Sequence, residues 1–234
     1  MNKFLFLLKT ILVAAICSLN LVACSSDDDD DNDNSNSSSA LVGNPTSAQE
    51  VSGNTWVLNK SKSSAFAEMN GIKGPSVIEG SQGDGIIPEA FTFNSDGTAE
   101  VLASGIKSNG NYSINGRQFS CSYKVLLNKT EWDENGTVES KVEKDFTLEK
   151  DFDITKLLYE DLGADSSPMT TTFTQCEISK LGSQLILNLT MTTKLNSDLD
   201  LSGAYEFGEQ FGNLINNTAK SKKYLAYSLV YEKK

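Results

Sequence analysis

The sequence predicts an all-β fold in which antiparallel strands close over one core, as a barrel or a related sandwich. Three observations predict it. Apolar and polar residues alternate with a period of two through most of the chain after residue 50. Short turn sequences rich in Gly, Asn and Asp separate these segments. Each segment has one apolar and one polar face, which is typical of antiparallel sheets.

The alternating segments define the predicted strands in chain order. Each is short enough to cross one small domain, and together they number about eight to ten, as in small antiparallel barrels. Their alternating positions are Trp56 and Leu58; Phe91 and Phe93; Ala99 and Val101; Tyr112 and Ile114; Phe119, Cys121, Tyr123 and Val125; Trp132, Val138, Val142 and Phe146; Thr172, Thr174, Cys176 and Ile178; Leu185, Leu187, Leu189 and Met191; Leu225, Tyr227, Leu229 and Tyr231.

Turn signals separate these strands. The pair Asn115-Gly116 is typical of a type I′ hairpin. The segment 71–90 is rich in Gly and Pro, which predicts a mobile surface loop that could act as a lid. Helical spacing is confined to 153–163 and 207–215, and these two short helices are expected to cover a barrel end or a sheet edge.

The first residues have the character of a signal peptide. Lys3 and Lys9 precede an apolar run over 11–22, which is too short and too broken for a comfortable membrane-spanning helix. The run ends at Ala23, directly before Cys24. We therefore expect residues 1–23 to be removed, with an uncleaved N-terminal helix as the alternative.

Leu21-Val22-Ala23-Cys24 resembles the bacterial lipobox. The resemblance implies a lipoprotein, with diacylglycerol attached to the Cys24 thiol and a further fatty-acyl chain, such as palmitate, on the new amine. Each buried methylene contributes about 0.8 kcal/mol, so two or three chains anchor a protein stably in a membrane. The alternative interpretation of this motif is cleavage without lipid attachment.

An acidic run follows the lipobox. Ser25 to Asp33 resembles the surface-export signal of Bacteroidota lipoproteins, which implies the outer leaflet of the outer membrane and exposure at the cell surface. The aspartates repel one another, so we expect a solvated tether. The predicted organisation is therefore a signal peptide at 1–23, a lipidated tether at 24–49 and one β domain at 50–234.

Composition excludes several function classes. The net charge of −11 leaves no basic surface for nucleic acid. The chain has no histidine, which removes Ser-His-Asp and Cys-His catalysis and most zinc sites. No spacing selects a pair of catalytic carboxylates. We therefore predict a non-enzymatic protein, with no catalytic residue, cofactor or metal site.

Two of the four cysteines belong to the predicted domain. Cys17 leaves with the signal peptide and Cys24 is the lipidated residue. Cys121 and Cys176 remain in an exported chain, where disulfides persist. Either they pair as a disulfide, or they are two small buried residues in neighbouring strands; a redox role is the third reading.

A second resemblance covers about residues 51–193. Trp56 in the first strand, the Phe91–Thr98 strand and turn, the Gly110–Ile114 strand and the Ile178–Leu181 strand end look like the lipocalin-like domains of Bacteroidota lipoproteins. The resemblance implies a β-barrel with a central cavity and no particular ligand. The chain departs from the short family pattern in the Gly-rich loop, in 132–165 and after Lys194.

The predicted function depends on whether the interior of that barrel is a cavity or a filled core. Trp56 is expected to close one barrel end. Six inward aromatic residues either line a ligand cavity or fill the core. A cavity predicts binding of a small apolar or amphipathic ligand, whereas a filled barrel predicts a structural module or one that binds another envelope protein. The six residues are Phe91, Phe93, Tyr112, Phe119, Tyr123 and Tyr227.

Overall fold

The computed structural model describes residues 41–69, 72–76, 85–133, 136–155, 157, 169–195 and 223–234. The described part of the chain is nearly all β. A helix, α1 (Ala48–Val51), and a 3₁₀ turn (Lys60–Lys62) flank the first strand. The strands are β1 (Asn54–Leu58), β2 (Ser64–Met69), β3 (Ile72–Ser76), β4 (Pro88–Phe93), β5 (Thr98–Ala103), β6 (Ile106–Asn115), β7 (Gln118–Asp133), β8 (Gly136–Leu148), β9 (Met169–Leu181), β10 (Gln184–Leu195) and β11 (Lys223–Lys233).

Eight of these strands form a closed antiparallel barrel. The order around the barrel is β1-β4-β5-β6-β7-β9-β10-β11. The first and last strands close it, since Trp56 pairs with Lys233 and Leu58 pairs with Tyr231. The predicted fold class, an all-β antiparallel barrel of lipocalin-like form, is therefore confirmed.

Three further strands extend the barrel wall. β2 pairs with the first half of β11, from Tyr224 to Ser228, and β3 pairs with β2. β8 pairs with β7 over thirteen positions, from Cys121–Leu148 to Asp133–Gly136. β3 and β8 lie in two of the three places where the sequence departs from the short lipocalin-like pattern, the Gly-rich segment and 132–165.

The Gly-rich segment 71–90 differs from the predicted surface loop in its described parts. Residues 72–76 form β3, in which Gly74 pairs with Ala67 and Pro75 with Phe66. At the other end, Ile86 and Ile87 are buried in the core directly before β4. The Gly and Pro content predicted a loop. An edge strand nevertheless tolerates both residues, because one of its two sides makes no hydrogen bonds to a neighbouring strand.

The alternation of β9 shifts at a bulge. The register with β10 is irregular between Thr190 and Met191, so the inward face changes parity there. Phe173 and Cys176 are both in the core, whereas Thr174 is exposed. The predicted alternation placed Thr174 on the same face as Cys176, and it was wrong because of this bulge.

Residues 41–51, directly before β1, lie against the barrel. Asn44 forms an antiparallel bridge with Lys180. α1 begins with a capping box, in which Ser47 and Glu50 bond to each other's backbone N–H groups. We call residues 41–47 the strap. The predicted flexible tether extended to residue 49, so its last residues are instead ordered on the barrel.

Several predicted features lie outside the described residues. They are the signal peptide, Cys24, the acidic run and the helix at 207–215, together with most of the helix after Asp153. Among the described residues, no helix combines the length and apolar character needed to cross a membrane.

Candidate functional site

The six predicted interior aromatics all point into the barrel. They come from β4, β6, β7 and β11, at alternate positions of each strand, and every one belongs to the buried core. Alternation places them there because successive side chains of a strand point to opposite faces of the sheet. All six residues therefore belong to the buried core, and their packing bears on the choice between a cavity and a filled core.

Aromatic rings contact one another at one end of the barrel. The Phe91 ring stacks on Phe93 with centroids 5.1 Å apart, and it meets the edge of Phe119 at 5.8 Å. Phe93 lies 4.6 Å from Tyr112, and Phe91 lies 5.3 Å from Tyr231. These separations are those of directly packed aromatic pairs, so the rings contact each other without an intervening ligand.

Accessible surface gives the same result. A side chain that lined an empty cavity would present surface to a water-sized probe, yet Phe91 and Phe93 are both 0% exposed. The largest value among the six is 7%, for Tyr112. The interior around these residues is therefore filled by the protein's own side chains.

The buried tyrosine hydroxyls have partners in the chain. Tyr112 donates to the Asn94 carbonyl at 2.8 Å, and Tyr231 donates to the Pro88 carbonyl at 2.7 Å. The Tyr123 hydroxyl donates to the Ile86 carbonyl. Burial raises the pKa of Tyr123 and Tyr231 well above the usual value, so both phenols stay neutral. Each of these three hydroxyls therefore already has a hydrogen-bond partner in the protein's own backbone.

Trp56 closes the end of the barrel beside α1. Its side chain is 2% exposed, and its indole N–H donates to the Val51 carbonyl at 3.0 Å. Val51, the last residue of α1, is itself fully buried. The short helix therefore covers this barrel end through one apolar residue and one hydrogen bond.

Cys121 and Cys176 occur as free thiols on the inner face of the barrel. They lie in β7 and β9, which are paired through Gln118 and Glu177. Burial raises the pKa of Cys121 to about 12 and raises that of Cys176 as well. A thiol with a raised pKa is a poor nucleophile, because little of it is ionised near neutral pH.

A groove occupies the outer face of β1, β4, β5 and β6, and we call it the β1–β6 groove. Its volume is about 560 Å³. The floor is apolar, with Val57, Ala90 and Leu102 side by side because Val57 pairs with Ala90 and Ala90 with Leu102. Lining residues are Thr55, Val57, Leu58, Lys60, Glu89, Ala90, Thr92, Glu100, Leu102, Lys107 and Lys234.

The rim of the β1–β6 groove is polar and carries both charges. Glu100 and Lys107 form an ion pair of 2.8 Å, and both side chains are well exposed. The hydroxyls of Thr55 and Thr92 lie 2.9 Å apart. Val57 remains 38% exposed on the floor. An apolar centre surrounded by polar groups is the usual arrangement of a protein-binding surface.

Local sequence patterns do not reveal this groove. Its floor residues, Val57, Ala90 and Leu102, are outward positions of their strands, which a periodicity argument assigns to solvent. The groove exists because β1 pairs with β4 across the connection 59–87, and no local signal specifies that pairing. The available signal was apolar residues at outward positions, namely Val57 and Leu102.

The described residues contain no group of three or more His, Cys, Asp or Glu side chains arranged to hold a metal ion. In comparisons with known proteins, no family model, curated protein or solved structure matches this chain.

Proposed function

We propose that this protein is a non-enzymatic lipoprotein of the outer membrane, displayed at the cell surface, that binds another protein of the envelope through the β1–β6 groove. One observation carries the choice of site: the interior aromatics pack on each other, whereas the groove presents an apolar floor to solvent. The filled barrel then serves as a rigid support for its outer face.

The location rests on the N-terminal sequence. The lipobox at 21–24 supports an acyl anchor at Cys24, and the acidic run after it supports export to the outer leaflet. The mass of the N-terminal peptide from a membrane fraction tests this part. A diacylglyceryl group and a fatty-acyl chain on Cys24 are expected, and an unmodified Cys24 would refute the anchor.

The groove specifies the kind of partner. Val57 and Leu102 would bury an apolar side chain, and the hydroxyls of Thr55 and Thr92 can bond to a backbone or a polar side chain. The rim carries carboxylates and ammonium groups, so it suits a segment with charges of both signs. We propose an extended segment of an envelope protein with one apolar residue at its centre, because a few well-buried residues near the centre of an interface contribute most of the binding energy.

Site-specific photo-crosslinking in intact cells tests the groove. A photoreactive residue at Val57 is expected to give discrete protein adducts, while the same residue at Ser113, exposed on β6, is the matched control and should give none. A second substitution, Leu102→Glu, places a charge on the floor and should remove the Val57 adducts without changing the folded structure. Identical adducts from both sites, or adducts that survive Leu102→Glu, would reject the groove as the binding site.

A small amphipathic ligand is the second candidate. The groove volume of about 560 Å³ lies within the usual range for small-molecule sites, about 300–1,000 Å³. This ligand would bind on the outer face, not among the interior aromatics. Native mass spectrometry of the purified protein would distinguish the two candidates, because a small retained mass that Leu102→Glu removes would favour the ligand over the protein partner.

A further inference from the structure

The strap crosses one wall of the barrel. The Gly43 N–H donates to the Ser179 hydroxyl of β9 at 3.2 Å. The Leu41 carbonyl accepts from the Asn188 side chain of β10 at 2.9 Å, and the Leu41 N–H donates to the Ser228 hydroxyl of β11 at 3.2 Å. Together with the bridge between Asn44 and Lys180, these bonds hold the strap on the outer faces of three adjacent strands, which we call the strap wall.

Gly43 permits this close approach. A Cβ atom at this position would lie 2.5 Å from the Lys180 carbonyl oxygen and 2.6 Å from its carbon. Those atoms belong to the β9 backbone and cannot move aside without disturbing the barrel. Any larger residue at position 43 would therefore separate the strap from the wall.

The strap wall lies opposite the β1–β6 groove. In the order β1-β4-β5-β6-β7-β9-β10-β11, strands four places apart face each other across the barrel. β10, in the middle of the strap wall, therefore faces β5, in the middle of the groove. Eight strands about 4.8 Å apart and tilted by roughly 40° make a ring about 16 Å across at the backbone.

The exposed apolar side chains are concentrated beside the strap. Among the described residues, the large hydrophobic side chains that remain exposed are Leu41 at 39%, Val42 at 61%, Leu181 at 44% and Val57 in the groove. Leu181 directly follows Lys180, the residue that pairs with the strap. Leu41 and Val42 belong to the strap, and Leu181 follows the residue that pairs with Asn44, so three of these four side chains lie in or next to the strap.

We propose that the strap seats the barrel with its strap wall against the membrane, so that Leu41, Val42 and Leu181 contact the lipid headgroup surface and the β1–β6 groove faces away. The proposal rests on the lipid anchor of the proposed function. Residues 25–40 separate Cys24 from the strap, and a flexible chain of that length has a mean reach of about 20–24 Å. That reach is similar to the width of the barrel, so an anchor attached through the strap places the strap wall nearest the membrane.

Depth-dependent quenching tests this orientation on the full lipidated protein. Leu181→Cys and Val57→Cys give two single labelling sites of similar exposure on opposite walls. Each is coupled to an environment-sensitive dye in vesicles of phosphatidylethanolamine and phosphatidylglycerol that contain headgroup-nitroxide lipid. We expect at least twofold stronger quenching at position 181 than at position 57.

Gly43→Val supplies the structural control. It should bring the two quenching values together by releasing the strap, while circular dichroism stays unchanged. Because a glycine replacement can impair folding, shortening the tether by deleting 34–39 is the second variant, and it should increase quenching at position 181. Vesicle flotation separates the two levels of the proposal: protein that does not float refutes the anchor and the seating together. Protein that floats with equal quenching at both positions refutes the seating alone.

Discussion

The strap wall and the opposite wall of the barrel differ in what covers their outer faces. On the strap wall, outward residues of β10 such as Ile186, Asn188 and Thr190 are buried, and the strap bonds to this face. On the opposite wall, outward residues of β1 and β5 such as Val57 and Leu102 form the floor of an open groove. The described inward side chains of both walls are buried in one core, so it is the outer faces that distinguish the two sides of the molecule.

This difference indicates where function can reside in a small closed barrel. Interior side chains such as Phe91 and Phe93 contribute packing energy and have no surface left for a ligand. The outer face of the strap wall is covered by the strap. Among the described residues, the groove is a surface with an apolar floor that nothing covers. The interior, the strap wall and the groove should therefore respond differently to substitution.

The largest effect is expected in the interior. Phe91→Ala removes a ring that contacts Phe93, Phe119 and Tyr231, and it should lower the free energy of unfolding by about 3–5 kcal/mol. Val57→Ala, on the groove floor, should change it by no more than about 0.5 kcal/mol. Urea denaturation of the full-length protein in mild detergent measures both. Equal losses from the two variants would contradict the contrast between interior and groove.

Thiol reactivity provides the next largest contrast. The pKa of Cys121 is raised from 9.0 to about 12, so its thiolate fraction at pH 8 falls about a thousandfold, and burial slows reagents further. In the mature acylated protein, which lacks Cys17 and carries lipid on Cys24, Ellman's reagent should therefore find no reactive thiol in the folded state and two in urea. Folded Val57→Cys should show one rapidly reacting thiol. Absence of thiols in urea without reductant would show that Cys121 and Cys176 form a disulfide.

The strap should contribute a smaller amount of stability. Gly43→Val forces a side chain against the Lys180 backbone and should cost about 1–3 kcal/mol, chiefly through loss of the strap's hydrogen bonds. Hydrogen exchange should then accelerate at Gly43 and Asn44 but not in β4 or β5. Gly85→Ala is the matched control, because the nearest atom to its new Cβ is 3.6 Å away. Uniformly faster exchange throughout the barrel would show that the strap is part of the core.

The smallest effect is expected at Glu232, next to the groove. Lys62, Asn59 and Gln184 all donate to this carboxylate, and these hydrogen bonds lower its pKa from 4.5 to about 2. Because the folded state favours the ionised carboxylate, Glu232 contributes its full stabilisation of the fold above pH 4.5. That stabilisation is lost as the pH falls toward 2. Glu232→Gln should lower the melting temperature slightly at pH 7, and the difference from the unchanged protein should vanish near pH 2. A constant difference across this range would exclude ionisation as its cause.

Local patterns in the sequence were sufficient to predict the barrel fold. Phe91 and Phe93 share the inner face as their spacing predicts. A two-residue hairpin turn forms close to the predicted position, but its central residues are Gly116 and Arg117, because Asn115 pairs with Gln118 as the last residue of β6. Only Gly116 has a positive φ, of +63°, so the predicted type I′ turn centred on Asn115-Gly116 was wrong. Alternation and turn chemistry act within a few residues, and therefore they can be read from a single sequence. The position of Trp56 at a closed barrel end also follows from its size and its single donor.

Features that depend on distant pairing could not be predicted in this way. The strap joins Leu41 to Ser228 across the whole domain, and the groove joins β1 to β4 across a long connection. β3 was missed because Gly74 and Pro75 are turn residues that here occupy an edge strand. The packing state of the interior was also undetermined, because a list of inward aromatics specifies neither their contacts nor the remaining volume.

The central claim is that binding occurs on the outer groove and not inside the barrel. Native mass spectrometry of the full-length protein, gently extracted with its bound components, tests it on three forms: unchanged, Phe93→Leu and Leu102→Glu. We predict that the unchanged protein and Phe93→Leu retain the same added mass, and that Leu102→Glu loses it. Loss of the added mass in Phe93→Leu together with its retention in Leu102→Glu would contradict the account and return the binding site to the interior.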